Sequence, residues 1–137
     1  MKDKKNLLVK EVMLQLNKIP IVQDNVFLKE SMEIMDKFRL GIVCIVDTKD
    51  KLQGVLTDGD LRRTLLKVQK PLASILVDDV SRYAIKNPTT IGYNESLSHA
   101  INIMGQKQIW DLPVVDHEKK LLGFLHLHPA IKALIAR

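Results

Sequence analysis

The sequence predicts an α/β (α+β) fold of two tandem β-α-β-β-α units packed as a pseudo-two-fold pair. The first observation is an internal repeat, because residues 19–66 overlie residues 88–135 without a gap at an offset of 69. The second is that helical periodicity alternates with short β-branched apolar runs in each copy. The third is size, since 137 residues, 46% of them hydrophobic, suffice for one packed domain or two very small ones sharing a core.

Identical residues recur along the whole length of the two copies. The pairs include Asn25 with Asn94, Leu28 with Leu97, Ile34 with Ile103, Val46 with Val115, Asp47 with Asp116, Gly54 with Gly123 and Leu56 with Leu125. A shorter echo, 9–12 against 77–80, precedes the copies at an offset of 68. The sequence therefore predicts two domains, 7–70 and 71–137, each too small to be stable alone.

In the first copy, a short strand over 19–22 precedes an amphipathic helix over 28–38, whose apolar face includes either Met32 or Ser31. The run 41–46 is apolar and β-branched and ends at a polar turn, which is typical of a buried strand closed by a hairpin. A strand over 52–56 then leads through capping residues into a helix over 61–67.

The second copy repeats this order. Pro113, in a strand over 112–115, indicates an edge strand or the first residues of a strand, because proline donates no hydrogen bond to a sheet. A strand over 121–127 follows, and Pro129 suits the first turn of the last helix.

Composition excludes several classes of protein. The single cysteine, Cys44, rules out an internal disulfide and a two-cysteine metal site, and its apolar surroundings indicate a core residue. The net charge of +5 is dispersed and aromatic residues amount to 4%, too few for a base-stacking platform, so we expect no nucleic-acid partner. No apolar run approaches the ~20 residues that span a bilayer, so we expect a soluble cytoplasmic protein without membrane contact.

Catalytic motifs are also missing from the sequence. It contains no Ser-His-Asp or Cys-His arrangement and no Gly-rich phosphate loop, so we do not expect an enzyme. The paired carboxylates Asp78 and Asp79 are interpreted as solvated charges in a short turn.

The turn that begins at Thr57 predicts an anion-binding site. Backbone N–H groups at a helix N-terminus attract phosphate, and the Thr57 hydroxyl adds a donor. Asp60, one turn into the helix, can accept hydrogen bonds from both hydroxyls of a ribose. An alternative stays open, because Thr57 or Asp58 can simply cap the helix while Asp60 complements its dipole.

Neighbouring residues extend this candidate site. Gly54 and Gly59 permit close approach of the backbone. Arg62 and Arg63 can pair with phosphate, but adjacent helix positions diverge, so at most one of them faces the site.

Two tandem units of this order, each with a Val-Asp strand end, resemble a pair of cystathionine β-synthase (CBS) domains, the Bateman module, over nearly the whole chain. The stretches 7–13, 54–63 and 121–128 look like the CBS pair at the C-terminus of bacterial arabinose 5-phosphate isomerases. Those enzymes carry a sugar isomerase (SIS) domain ahead of the pair and serve the synthesis of Kdo, a sugar of lipopolysaccharide and capsule. The string TDGDLRR also occurs in CBS pairs of sugar nucleotidyltransferases, which remain an alternative.

The resemblance implies a regulatory module that is not itself catalytic, requires no cofactor and forms a homodimer through its CBS pairs. Its ligand would be a nucleotide or nucleotide sugar, with CMP-Kdo, AMP and ATP as candidates, and its parent protein would supply the missing SIS domain. The base is expected against the strand that begins at Gly41. The expected ligand-binding residues are Gly41, Ile42, Val43, Cys44, Thr57, Asp58, Gly59, Asp60 and Arg62.

The second copy departs from the motif, because His126 replaces Thr57 and Pro129 replaces Asp60. We therefore predict one occupied site per pair. Trp110 stands where the first copy has Gly41 and could stack on a base, plug the second cleft or pack at a subunit interface.

His126 and His128 share one face if both lie on a strand. Two ligands do not make a zinc site, so no metal is expected, and a phosphate contact by His126 or a role at a dimer surface is the alternative.

A different class of function is also consistent with the sequence. The pair could be a purely structural oligomerisation module whose site is empty. Such a module would be indifferent to nucleotides and tolerant of Asp60→Ala.

Overall fold

Helices and strands follow the order that the repeat predicts in both copies. The computed structural model describes residues 7–136. In chain order the elements are α1 (Val9–Val12), β1 (Leu14–Gln15), β2 (Ile21–Gln23), α2 (Leu28–Phe38), β3 (Ile42–Val46), β4 (Leu52–Thr57), α3 (Asp58–Lys67), α4 (Leu72–Leu76), β5 (Ile85–Lys86), β6 (Ile91–Gly92), α5 (Leu97–Lys107), β7 (Asp111–Val115), β8 (Leu121–His126) and α6 (Leu127–Ile135). In this described part, no helix has both the length and the apolar character that crossing a bilayer requires.

The amphipathic helix α2 has the limits that its periodicity predicts. Leu28, Ser31 and Met35 are its buried residues, so Ser31 rather than Met32 faces the core. The helix ends at Arg39, whose left-handed backbone (φ 58°) lets its N–H bond the last turn. Helix α5 ends in the same way at Gln108 (φ 54°), so the repeat extends to the backbone of the helix ends.

The sheet that carries the candidate motif has the strand order β2-β3-β4-β5. All five residues of β3 are buried, and Cys44 is 0% exposed, which agrees with a core residue. Strand β3 pairs parallel to β2 and antiparallel to β4. Because Ile42 lies opposite Thr57, the start of β3 and the start of α3 are neighbours. The sheet therefore holds the two segments of the candidate site side by side.

The second sheet has the order β1-β8-β7-β6, so Pro113 lies in an interior strand and the edge interpretation is wrong. The reason is that β6 pairs only with Val114 and Val115, beyond the proline. In the first copy, Cys44 occupies the equivalent position and donates its N–H to the Pro20 carbonyl at 3.0 Å. Proline lacks that donor, which is consistent with the shorter pairing of β6.

Two arms, 7–15 and 78–86, play the same part in the two sheets. The Leu28 N–H donates to the Asp78 carbonyl at 2.9 Å, and the equivalent Leu97 N–H donates to the Leu7 carbonyl at 2.8 Å. These contacts align the arms at an offset of 71, so the echo that the sequence places at 68 is three residues out of register. Two matching valines in segments of four residues are too few to align the arms, whereas equivalent backbone hydrogen bonds align them directly.

The arms also determine how the chain divides into compact units. One unit comprises residues 19–88, and the other combines residues 7–18 with residues 89–136. The predicted domain limits, 7–70 and 71–137, were drawn from the internal repeat of the sequence. They stay a prediction.

Glycine is required where each arm completes its sheet. A Cβ on Gly54 would lie 2.7 Å from the Ile85 carbonyl oxygen of β5, and one on Gly123 would lie 2.2 Å from the Leu14 carbonyl oxygen of β1. Real Cβ atoms do not approach backbone oxygens this closely. The close approach at Gly54 therefore serves the edge strand of the sheet.

We predict that Gly123→Ala destabilises the protein by about 1–3 kcal/mol, because the added methyl displaces β1 from β8. The control is Gly105→Ala on α5, where a Cβ meets nothing within 4 Å. That variant should be neutral or more stable by about 0.5–1 kcal/mol, since alanine favours helices. Urea unfolding of the three proteins measures both effects, and equal midpoints for Gly123→Ala and wild type would contradict the close approach.

Asp78 anchors the second arm through an ion-pair cluster, so its interpretation as a solvated charge is wrong. Its Oδ2 accepts hydrogen bonds from Lys70 Nζ at 2.5 Å and from the Tyr83 hydroxyl, and Arg82 lies 3.6 Å from Oδ1. The bonds from Lys70 and Tyr83 lower the pKa of Asp78. The bond to Asp78 raises the pKa of Lys70. Arg82 and Tyr83 lie one turn further along the same arm, whereas Lys70 precedes the arm and reaches Asp78 across α4.

The cluster predicts a pH dependence of stability with a definite sign. The contribution of Asp78 is present above its ordinary pKa of 3.8 and is lost as the pH falls through its lower folded pKa. The contribution of Lys70 is present below 10.5 and is lost as the pH rises through its higher folded pKa. Unfolding midpoints of Asp78→Asn should therefore vary less with pH at both ends, whereas the exposed neighbour variant Asp79→Asn should retain the wild-type profile.

Candidate ligand-binding site

A reciprocal capping network holds the N-terminus of α3. The Thr57 Oγ1 accepts a hydrogen bond from the Asp60 N–H at 3.2 Å. In return, Asp60 Oδ2 accepts from the Thr57 N–H and from the Thr57 hydroxyl, each at 2.9 Å. Asp60 is only 6% exposed, so the network holds a carboxylate that is shielded from water. Of the two cap candidates that the sequence left open, Thr57 is the one that caps α3, and Asp60, expected only to complement the dipole, completes the cap with its carboxylate. A ligand would therefore have to use residues that already cap the helix.

Arg63, rather than Arg62, contacts this network. Its Nη2 lies 2.8 Å from Asp60 Oδ1, while about half of the Arg63 side chain stays exposed. A Cβ on Gly59 would lie 3.1 Å from the same guanidinium, so Gly59 leaves room for Arg63. Arg62 is exposed and takes no part in the network, and its role toward phosphate stays a prediction. Both oxygens of Asp60 are therefore engaged, one with the helix cap and one with an exposed cation.

Gly41 and Asp58 meet at the start of β3. The Asp58 N–H donates to the Gly41 carbonyl at 3.0 Å. A Cβ on Gly41 would lie 2.7 Å from Asp58 Oδ2, so the carboxylate occupies the space that glycine leaves open. Both residues are among the expected ligand-binding residues, and the structure places them in contact.

Beside Gly41 and Asp58 lies an open pocket of ≈ 370 Å³ between α2 and α3. Its other lining residues come from the end of α2, the turn after it and the start of α3: Met32, Met35, Asp36, Arg39, Leu40 and Leu61. None of these six residues is among the site residues that the sequence predicts. The signal was present, because Met32, Asp36 and Arg39 recur at helical spacing at the end of α2. Thr57 and Asp60 are not among the lining residues.

The strand residues expected to meet a base have their side chains in the core. Ile42, Val43 and Cys44 are 2%, 0% and 0% exposed. The Cys44 N–H is already bonded to the Pro20 carbonyl. Their role in ligand binding stays a prediction, and it would have to rest on the backbone of the first residues of the strand.

In the second copy a histidine–aspartate pair replaces the threonine cap. His126 Nδ1 lies 2.7 Å from Asp111 Oδ1, and the two residues are cross-strand neighbours of β8 and β7. His126 ends β8, whereas His128 lies within α6, so the prediction that both histidines share a strand face is wrong. Helix α6 begins at Leu127, whose N–H donates to the Trp110 carbonyl at 2.8 Å, as the Asp58 N–H does to Gly41 in the first copy.

Trp110 is 69% exposed. That exposure does not fit a residue that plugs a cleft, and it leaves stacking on a ligand or packing against another chain. Within residues 7–136, no group of three or more His, Cys, Asp and Glu side chains is arranged to hold a metal ion.

The capping network predicts a measurable contribution to stability. Asp60→Ala should destabilise the protein by about 1–2 kcal/mol, since a lost cap typically costs this much and Arg63 loses its partner. Ser96→Ala is the matched control in the other unit, because Ser96 Oγ caps α5 by accepting from the His99 N–H at 3.1 Å. Urea unfolding should show a loss of similar size for both. An unchanged midpoint for Asp60→Ala would contradict the network.

A model of the CBS domain matches residues 9–67 and residues 77–134 of this chain. An uncharacterized protein of Rickettsia prowazekii is 32% identical over 120 residues, which cover 88% of this chain and 35% of that protein. Arabinose 5-phosphate isomerase KdsD of Francisella tularensis is 33% identical over 132 residues, which cover 92% of this chain and 37% of the isomerase. The chain thus spans little more than a third of the length of these relatives.

Among solved structures, CBSX2, a CBS-pair protein of Arabidopsis thaliana, is similar in its complex with AMP. The TM-score is 0.82 at 21% identity, and the match covers 93% of this chain and 95% of CBSX2. At this identity the likeness shows the fold.

Proposed function

The chain belongs to the CBS domain family and contains two of its domains, and from this membership we propose that it is a regulatory module that binds a nucleotide or nucleotide sugar. The observation that carries the proposal is the Thr57–Asp60 network at the N-terminus of α3. It combines a hydroxyl, a shielded carboxylate and the positive end of a helix dipole within one turn.

This combination suits a ribose phosphate. The carboxylate of Asp60 can accept hydrogen bonds from a ribose diol, and the helix N-terminus with the Thr57 hydroxyl favours the phosphate. Ligand binding would require Asp60 Oδ1 to exchange Arg63 for ribose. That exchange is feasible because Arg63 is half exposed, and the released guanidinium would be free to pair with the phosphate.

The second copy is not expected to hold the same ligand. Pro129 stands in place of Asp60, and His126 is engaged with Asp111 instead of capping α6 with its side chain. A ribose at this position would lack its carboxylate. We therefore propose one ribose-binding site per chain.

Relatives support the identity of the ligand and of the parent protein. CBSX2 has been crystallised with AMP, which supports adenine nucleotides, AMP or ATP. The isomerases KdsD of Francisella tularensis and Yersinia pestis are 33% and 30% identical over 132 and 128 residues. They support a parent protein of arabinose 5-phosphate isomerase type. From the family resemblance we further propose that this parent serves Kdo and lipopolysaccharide synthesis in the cytoplasm. If the parent protein is such an isomerase, CMP-Kdo is a candidate ligand, because it would report the level of the end product.

Regulation would then follow from differential binding. A ligand held at Thr57 and Asp60 would stabilise one conformation of a homodimer formed through the CBS pairs, and an attached SIS domain would respond to that change. The chain itself would carry no catalytic step.

A second candidate, a structural oligomerisation module, is favoured by one observation. Both oxygens of Asp60 already have partners within the protein, so the motif is complete without a ligand. The sugar nucleotidyltransferase alternative differs only in the parent enzyme.

The proposal is tested by calorimetry and thermal shift with AMP, ATP, CMP and CMP-Kdo on four proteins: wild type, Asp60→Ala, Asp60→Asn and Ser96→Ala. One ligand should bind wild type and stabilise it by about 2.7 kcal/mol at a hundredfold excess over Kd. Ser96→Ala should bind equally well despite its lower stability. Both Asp60 variants should lose binding, because neither can accept from two ribose hydroxyls as a carboxylate does.

Two results would contradict the proposal. If Asp60→Ala still binds the ligand, Asp60 does not hold its ribose. A failure of all four ligands to bind wild type would favour the oligomerisation module.

A further inference from the structure

The arginine that contacts Asp60 lies against the first turn of its own helix. Arg63 is three residues further along α3, and its Nη2 donates to Asp60 Oδ1 at 2.8 Å. A Cβ on Gly59 would lie 3.1 Å from Nη2 and 3.3 Å from Nη1, so the guanidinium rests on the surface that Gly59 leaves free. Side chains on a helix lean toward its N-terminus, which carries the arginine to this position. The guanidinium therefore lies beside the end of α3 that attracts anions.

The two carboxylate oxygens of Asp60 have different partners. Oδ2 accepts from the N–H and the hydroxyl of Thr57, so it completes the helix cap. Oδ1 accepts from Arg63. A ligand can take Oδ1 without disturbing the cap, whereas taking Oδ2 would unpair the Thr57 N–H. Arg63 thus occupies the oxygen that an incoming ribose needs.

Separating this ion pair is unfavourable at both groups. The side chain of Asp60 is 7% exposed, so without Arg63 its carboxylate is shielded from water and needs new donors. The side chain of Arg63 is 52% exposed, so water can solvate it, but it stays close to the positive end of the helix dipole. A ribose diol offsets the loss at the carboxylate, and an anion offsets the repulsion at the guanidinium.

We propose that Arg63 is a specificity-determining residue that makes the site select phosphorylated ribonucleotides over nucleosides. A nucleoside gives Asp60 two hydroxyl donors but leaves the displaced guanidinium without an anion. A nucleotide satisfies both groups, because its phosphate receives the guanidinium at the helix N-terminus. The inference rests on the ribose site of the proposed function and defines the class of ligand that this site accepts.

The second copy lacks both members of this pair. Pro129 stands in the position of Asp60, and Lys132 stands in the position of Arg63. A lysine ammonium is a point charge, without the planar set of donors with which an arginine binds a carboxylate or a phosphate. The carboxylate and the arginine therefore occur together, in the copy that carries the proposed site.

The selectivity is measured as the ratio of the nucleoside Kd to the nucleotide Kd. Adenosine is compared with AMP, and cytidine with CMP, by calorimetry on the full chain. Each pair keeps the base and the ribose and changes only the phosphate. Wild type should bind the nucleotide at least about tenfold more tightly than the nucleoside, which is the usual size of a hydrogen bond between charged groups.

Arg63→Met tests the arginine. Methionine keeps a long unbranched side chain that suits a helix, but it has no charge and donates no hydrogen bond. The nucleoside should bind this variant more tightly than wild type, because nothing competes for Asp60 Oδ1. The ratio should fall at least about tenfold, since the phosphate loses its guanidinium. A merely structural arginine would weaken both ligands alike and leave the ratio unchanged.

Two further variants separate the charge from the contact. Lys67→Met removes a positive charge from the exposed last turn of the same helix and should keep the wild-type ratio. Arg63→Lys keeps the charge and should restore part of the ratio. Added salt should lower the ratio of wild type more than that of Arg63→Met, because it screens the contact between phosphate and guanidinium.

Four results would overturn the inference: equal binding of nucleoside and nucleotide by wild type, a ratio that survives in Arg63→Met, a ratio that is lost in Lys67→Met, or a ratio that falls in Arg62→Met instead. Ligands that bind Arg63→Met but not wild type would also overturn it, because the arginine would then block the site and select nothing.

Failure of the proposed function gives a different result. If no nucleoside or nucleotide binds wild type or any variant, the ribose site is absent, and the proposed function and the selectivity are overturned together. If nucleotides bind wild type but not Asp60→Ala, and the ratio survives in Arg63→Met, the ribose site stands and the role of Arg63 alone is overturned.

Discussion

The fold depends on the close approach of a two-residue arm strand to a glycine in each sheet. At Gly54 and Gly123, backbone oxygens of β5 and β1 occupy the space of a missing side chain. This pairing brings the arms 7–15 and 78–86 to their sheets, where Val9 and Val80 are fully buried. The arms also satisfy backbone donors at the starts of α5 and α2. Without them each sheet would keep three strands, and the buried valines and helix-start donors would lose their partners.

The candidate site uses groups that already stabilise the fold. Thr57 and Asp60 satisfy the N-terminus of α3, and Arg63 neutralises the carboxylate that the cap leaves partly shielded. A site built this way is preorganised, because its polar groups are positioned before any ligand arrives. It also makes recognition compete with a native ion pair. Arg63 is half exposed but Asp60 is shielded, so a ligand that displaces Arg63 has to give this carboxylate new hydrogen-bond partners.

The sequence was sufficient for the parts of the fold that depend on local pattern. Helix α2 has the predicted limits, and β3 is the buried strand that its β-branched run indicates. It was insufficient wherever the outcome depends on a distant segment. Pro113 is tolerated in an interior strand because β6 is too short to need its donor. Asp78 is paired with Lys70 from the other side of α4, a contact for which the sequence carries no periodic signal.

The sequence by itself determined the two repeated units, their elements, the family and the residues of the Thr57 cap, because periodicity and capping act over one or two turns. Only the tertiary structure shows which arm belongs to each unit and that Arg63 is the arginine that contacts Asp60. It also places His126 on a strand and His128 on a helix, so the two histidines share no strand face. It also opened the pocket beside Gly41 and left Trp110 exposed. These features depend on which backbone groups meet across a sheet, and hydrogen-bond register over long separations leaves no periodic trace in a sequence.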